Sequence, residues 1–273
     1  MQRSLSYAMA CAWTFSSTLL LLVIVQVSVA LRPAAASDLV QLGAWEALVY
    51  VLACFAVLRV YAPEREASDA LGLRRTHPAM LLFGVALGIT LHAPAESLQR
   101  LVERFDPVSE IERIQRATLL SPSSAVQALL LVLIATCVVP LVEELFFRGA
   151  LYTTLRRGHP LIGAAGLTAV CFVLSHPETQ TWLPFLFVSA AITHLRAASG
   201  SMLPSLALHV SFNAVTIAAA LTGVSTPAAP ALLPIPVIIA GWLVSLGLVL
   251  AVQYVSLRSP EAERARTEDA DDS

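Results

Sequence analysis

The stretch Ala125-Val-Gln-Ala-Leu-Leu-Leu-Val-Leu-Ile-Ala-Thr-Cys-Val-Val-Pro140-Leu-Val-Glu143-Glu144-Leu-Phe-Phe-Arg148-Gly-Ala-Leu-Tyr152, running on to Arg157, decides the fold. It exceeds the ~20 apolar residues that carry a helix across a hydrocarbon layer about 30 Å thick. Its charged residues Glu143, Glu144 and Arg148 come late and close together. Working outward, comparable apolar runs recur at residues 8–30, 39–62, 79–95, 161–176, 181–197, 201–222 and 230–256. The pattern predicts an all-α, polytopic integral membrane helical bundle with about eight transmembrane helices.

Composition agrees. Of 273 residues 57% are apolar and only 13% charged, and the mean hydropathy of +0.74 lies far from that of a water-soluble domain. The chain divides into N-terminal transmembrane helices (1–70), a central membrane core (71–222), a C-terminal transmembrane helix (223–257) and a solvated, disordered charged tail (258–273). Arg3 before the first span and Pro33-Ala34-Ala35-Ala36 after it resemble a signal peptide with its cleavage site. That apolar stretch is long for a signal peptide, and a retained helix is expected.

Every one of the 17 basic residues is arginine. With the N-terminus inside, Arg3, Arg59, Arg65, Arg74, Arg75, Arg156, Arg157, Arg196, Arg258, Arg264 and Arg266 fall on one side, so the positive-inside rule places both termini in the cytoplasm. Arg100, Arg104, Arg113 and Arg116 vote the other way from a long loop rich in acids. An arginine-only, alanine-rich chain has the character of a high-GC bacterial product, which makes the bacterial cytoplasmic membrane the expected site. Between Pro94 and Ser124, apolar Leu98, Leu101, Val102, Phe105, Ile111 and Ile114 alternate with charges, predicting interfacial amphipathic helix broken at Pro107. Cys11, Cys54, Cys137 and Cys171 lie in apolar spans without C-x-x-C spacing and read as small apolar residues. A net charge of -2 without a basic stripe excludes nucleic acid as a partner.

Ionisable residues inside spans cost several kcal/mol and mark function by default. In the second half these are Glu143, Glu144, Arg148, His176, His194 and His209, with Asn213 as a polar companion. Glu144 and Arg148 stand four apart on one helical face and can neutralise each other, by the same spacing that serves a packing clamp. Glu143, turned about 100° away, lacks that partner and suits a general base. Phe172 and His176 are also four apart, and Pro177 places His176 at a helix end. His209 and Asn213 repeat the spacing, which satisfied interhelical hydrogen bonding explains equally well when taken alone.

Depth joins these residues. If the chain turns at Gly158-His159-Pro160, Glu143 and His176 each lie about 16 residues, or about 24 Å, from that turn. The next turn on the same side, at Ser199-Gly200, puts His209 about 14 Å and Asn213 about 20 Å away. Four polar groups thus converge on one layer of the bundle, which independent accidents would not do.

The three motifs Glu143-Glu144-x-x-x-Arg148, Phe172-x-x-x-His176 and His209-x-x-x-Asn213 resemble, in order, those of the CPBP (CAAX protease and bacteriocin-processing, or Abi) intramembrane endopeptidases, also called type II CAAX prenyl endopeptidase-like. Leu71-Gly72-Leu73, Glu144 to Tyr152 and Leu195 to Ser201 are similar to family text as well, so the resemblance spans about residues 70–217. It implies a membrane core in which Glu143 and His176 activate a water against a peptide carbonyl while His209 and Asn213 hold the oxyanion. Glu144, Arg148 and Phe172 would be supporting residues. His194 departs from the family, which often has an aromatic there, and reads as a satisfied interface histidine about 9 Å from the Gly200 turn.

The family is commonly labelled metalloprotease, and Glu143, His176 and His209 are the candidate ligands of a zinc or other divalent ion. There is no H-E-x-x-H spacing, and an amide beside His209 suits an oxyanion pair better than a ligand set, so metal-independent water activation is favoured. The expected partners are the lipid bilayer and a membrane-embedded or membrane-associated peptide. The rival reading is a non-catalytic membrane interaction protein such as a bacteriocin immunity factor. A transporter is disfavoured by the lack of an inverted repeat.

Overall fold

A computed structural model describes residues 4–223 and 233–258, and among these every regular element is helical. The principal helices are α1 (Tyr7–Leu31), α2 (Leu39–Tyr61), α3 (Pro78–Glu103), α4 (Glu110–Leu119), α5 (Ala125–Arg156), α6 (Leu161–Leu174), α7 (Trp182–Ser199), α8 (Met202–Leu221) and α9 (Ile235–Arg258). Of these α1, α2, α3, α5, α8 and α9 are long and apolar enough to cross a membrane. The polytopic helical bundle read from the sequence is therefore present. Helices α6 and α7 occupy the remaining two expected spans, α6 as a shorter apolar helix of 14 residues. The charged tail beyond Arg258 lies outside the described residues.

The outer surface is apolar in the manner of a protein solvated by lipid: Phe15, Phe55, Leu82, Ile162 and Leu243 are all more than 60% exposed. Phe105, Ile111 and Ile114, around the break between α3 and α4, are exposed as well. The interior holds two apolar clusters. One joins α2, α5 and α6 through Tyr50, Val57, Phe146, Phe147, Leu151 and Phe172. The other joins α3, α7, α8 and α9 through Met80, Leu87, Ile192, Leu195, Leu208 and Val252.

Helix α3 packs along α8, and its glycines allow the close approach. A methyl group at Gly84 would stand 2.5 Å from the Pro204 carbonyl oxygen and 3.3 Å from the Ala207 Cβ. Small residues at such contacts let backbones approach where no hydrophobic drive operates between helices in lipid. The α7–α8 turn is held from the other side. Gly200 ends α7 at φ +66, the left-handed conformation that suits glycine. Ser201 caps α8 and donates its hydroxyl to the Arg74 carbonyl at 2.7 Å, while the Met202 amide donates to the Gly72 carbonyl at 2.8 Å. The segments around Gly72 and Gly200, distant in sequence, thus fix the start of the helix that carries His209 and Asn213.

Helix α5 is not a uniform α-helix. Two stretches, Ile134–Val138 and Leu145–Leu151, widen to π geometry on either side of Val139–Glu144. Pro140 accounts for the first. A proline in a helix interior lacks an N–H and crowds the carbonyl four residues back, and widening the preceding turn relieves both problems.

Candidate active site

Pro140 leads to the site through its missing donor. The Val139 amide reaches back five residues to the Ile134 carbonyl. In that register the Ala135 carbonyl would be served by the amide of residue 140, a proline that has none. Its acceptor is taken instead by Asn213 on α8, whose Nδ2 donates to it at 3.0 Å. Widened turns elsewhere in α5 behave alike: the Leu145 carbonyl accepts from Cys54 Sγ on α2 at 3.5 Å, and the Arg148 carbonyl from Arg196 Nε on α7 at 3.2 Å.

Arg148 is fully buried, so each of its donors needs an acceptor. Its NH1 donates to Glu144 Oε1 at 3.0 Å, its NH2 to the Ser189 hydroxyl and carbonyl at 2.7 and 3.2 Å, and its Nε to the Thr193 hydroxyl at 3.3 Å. The guanidinium also lies 4.6 Å from the centre of the Phe172 ring. The same Glu144 oxygen meets His209 Nδ1 at 3.0 Å. Since a carboxylate only accepts, Nδ1 carries the proton and Nε2 turns the other way. His209 Nε2 stands 3.5 Å from Glu143 Oε2.

His176 follows the same logic from the opposite wall. It lies just past the end of α6, where Pro177 forbids further helix, and its Nδ1 donates to the Phe172 carbonyl at 2.8 Å. Its Nε2 points to Glu143 Oε1 at 3.7 Å. Trp182 Nε1 donates to the His176 carbonyl at 2.9 Å, and Phe185 meets the imidazole edge to face. Two imidazoles, each with Nδ1 engaged behind, thus present Nε2 to the two oxygens of one buried carboxylate.

These groups border a cavity of about 370 Å³. Glu143, His176, His209, Asn213 and Phe172 line it, whereas Glu144 and Arg148 stand behind its wall. His209 and Asn213 share the cavity but not a target, since His209 faces carboxylates and Asn213 gives one N–H to Ala135. His194 is placed differently from its expected role: its Nε2 is buried with no hydrogen-bond partner among the described residues, and it does not reach the cavity.

The sequence reading looked for the site in the second half of the chain, but α1 and α2 complete the cavity. Thr18, Leu21, Leu22 and Val25 come from α1, and Leu42, Glu46 and Tyr50 form an i, i+4, i+8 stripe of α2. Glu46 lines the same cavity as Glu143. The rule that singled out the other ionisable residues applies equally to this glutamate inside an apolar span.

A metal site was tested against the donor geometry. The two Nε2 atoms address different oxygens of Glu143, and among the described residues no three His, Cys, Asp or Glu side chains are grouped to hold one ion. The arrangement does not fit a resident zinc, and no chemical step below is routed through one.

Fold and cavity together define a class, a polytopic helical membrane protein enclosing a Glu/His cluster among its helices. Residues 125–215, which hold all three motifs, match the family described as Type II CAAX prenyl endopeptidase Rce1-like. The resemblance to the CAAX proteases read from the sequence is borne out over that stretch, and the family is one of proteases. No curated protein and no solved structure matches the chain.

The Glu144–Arg148 pair generates a stability prediction. Glu144→Gln leaves the guanidinium buried with its charge uncompensated, and breaking such a pair by removing one partner costs about 3–5 kcal/mol. The apparent melting temperature of the purified protein should fall clearly, whereas Ser121→Ala, on the exposed loop before α5, should leave it unchanged.

Proposed function

We propose that the protein is an intramembrane endopeptidase that hydrolyses a peptide bond of a membrane-embedded or membrane-associated substrate, with Glu143 as the base. The observation that carries this reading is the pair of Nε2 atoms facing Glu143 across a cavity inside the bundle. Three acceptor groups with no donor placed between the imidazoles and the carboxylate among the described residues suit a proton-bearing reactant, and water is that reactant in hydrolysis. The match of residues 125–215 to a protease family supports the same reading. We further place the protein in the bacterial cytoplasmic membrane with both termini cytoplasmic, on the strength of its arginine distribution.

In this mechanism Glu143 takes a proton from the water as its oxygen attacks the peptide carbonyl, while His176 Nε2 accepts the water's other O–H. The negative charge that develops on the carbonyl oxygen meets the second N–H of Asn213, whereas His209, whose Nδ1 proton is given to Glu144, donates to it from Nε2 only as an imidazolium. Glu143 then passes its proton to the leaving nitrogen as the C–N bond breaks. Glu144 holds the His209 ring by its Nδ1 and does not touch the substrate. The apolar walls from α1, α2 and Phe185 suit a substrate segment delivered from lipid.

Three outcomes test this assignment. Glu143→Gln should abolish cleavage of membrane peptides, scored by comparing cells with wild-type and variant protein, while the purified variant stays folded. Near-normal turnover would sink the assignment of Glu143 as the base. Asn213→Ala should lower kcat by about 10² to 10³, the usual effect of removing one oxyanion donor, with little change in KM. A pure KM effect would make Asn213 a substrate-binding group. Finally, protein shown by elemental analysis to hold far less than one metal per chain should cleave at full rate, and recovery only on adding zinc would make His176 and His209 ligands.

A further inference from the structure

Every helix that borders the cavity does so with its middle or with the half remote from one set of turns. Those turns are residues 62–77 between α2 and α3, 157–160 between α5 and α6, and 200–201 between α7 and α8. Three contacts gather them, with the start of α1, at one end of the bundle. Tyr7 stacks on His159 at 4.0 Å, Arg157 donates to the Tyr61 carbonyl at 3.1 Å, and the Met202 amide donates to the Gly72 carbonyl at 2.8 Å. From Tyr7, about 17 Å of helix precede Thr18, the first residue of α1 at the cavity. From Leu161, about 17 Å of α6 precede Phe172.

The end that holds these turns is sealed. Phe146, Phe147, Leu151 and Leu155, which continue α5 from Glu143 towards the turns, are all 0% exposed, and the Glu144–Arg148 pair is buried among them. Nearer the turns, Arg196 of α7 donates to the Arg148 carbonyl at 3.2 Å and to the Thr153 hydroxyl at 3.1 Å. A peptide entering from this end would have to break buried hydrogen bonds where nothing replaces them, which is costly.

The other end offers a mouth. Among the cavity-lining residues, Leu22 of α1 is 39% exposed and Pro177, after α6, is exposed. Beside them on α7, Leu183 and Leu186 present apolar side chains to the surroundings, while Glu178 and Thr179 form an exposed polar loop. Such a rim accepts an apolar chain from lipid on one side and water on the other.

Charge tells the two ends apart. Arg65, Arg74, Arg75, Arg156 and Arg157 lie in or next to the turns of the sealed end, whereas the loop 175–181 at the mouth has no arginine. Arg32 and Arg100 stand towards the open end, but they are paired with Asp38 and Glu96. In the orientation proposed above, the sealed end is cytoplasmic.

We infer that the cavity is served from the non-cytoplasmic side, so that its substrate is an apolar segment of a membrane-anchored peptide in or at the outer leaflet, not a cytoplasmic tail. The inference rests on the protease reading for the word substrate and on the arginine distribution for the side. Leu22 and Phe185 belong to the walls that receive the segment, and water enters past Pro177.

Thiol labelling of the full-length protein in intact cells tests the side of entry. A membrane-impermeant maleimide should label Glu178→Cys at the mouth directly and Arg75→Cys only after permeabilisation, each scored above the wild type with its own four cysteines. The reverse pattern would show the chain inverted in the membrane and overturn the non-cytoplasmic assignment. A small impermeant methanethiosulfonate should reach Thr18→Cys, in the cavity wall, from the same side as Glu178→Cys. Reaction only from the side of Arg75→Cys, or from neither side, would overturn the mouth. None of these labellings needs turnover, so a wild type that cleaves nothing would remove the protease reading and leave the side of entry decided. Where cleavage occurs, the positions cut by the wild type and left intact with Glu143→Gln should map to non-cytoplasmic parts of membrane peptides. Cuts confined to cytoplasmic tails would overturn the substrate class.

Discussion

A guanidinium with no access to water must be satisfied entirely by protein, and the placement of α5 against its neighbours follows from that demand. Arg148 takes Glu144 from its own helix and Ser189 and Thr193 from α7, and lies over Phe172 of α6. Because Glu144 spends the same oxygen on His209, the network extends to α8. Four helices are locked in relative rotation by one side chain and its immediate partners. A hydrophobic contact could hold them together but could not fix the angle of an imidazole, since apolar packing is non-directional.

The second constraint is negative, the donor that Pro140 does not have. Its absence widens a turn of α5 and releases the Ala135 carbonyl, which Asn213 then takes. The amide is thereby oriented with one N–H committed and the other left for the cavity. The bonds from Cys54 and Arg196 to carbonyls of the other widened turn tie α5 to α2 and α7 in the same way. In lipid, where no water competes for a freed carbonyl, such defects become specific attachment points.

Much of this was legible in the sequence because the bilayer imposes simple rules. Span lengths follow from hydropathy, and Glu144 with Arg148 could be paired from the i, i+4 spacing alone. Counting residues from two turns brought Glu143, His176, His209 and Asn213 towards one layer, because helical rise is fixed at 1.5 Å per residue. What was not legible depends on rotation and not on depth. Which nitrogen of His209 meets which glutamate is set by tertiary packing, and the π turns leave no mark in the hydrophobic pattern. Glu46 carries the same signal, an acid inside the apolar α2, but it stands alone there, without the i, i+4 partners that mark the polar residues of α5 to α8. The buried, unpartnered Nε2 of His194 had no sequence signal that distinguishes it from a satisfied histidine.

Two adjacent glutamates on one helix end in different surroundings because consecutive residues are rotated by about 100°. Glu144 faces Arg148 and His209 and belongs to a network in which opposite charges offset each other. Glu143 faces the cavity and two bare imidazole nitrogens. The division is useful because a carboxylate already committed to a guanidinium has little to gain from a further proton, and one without such a partner has much. Stabilising the bundle and accepting protons make opposite demands on a buried acid. A pair of glutamates side by side lets one helix meet both, with Glu144 holding the His209 ring that Glu143 faces.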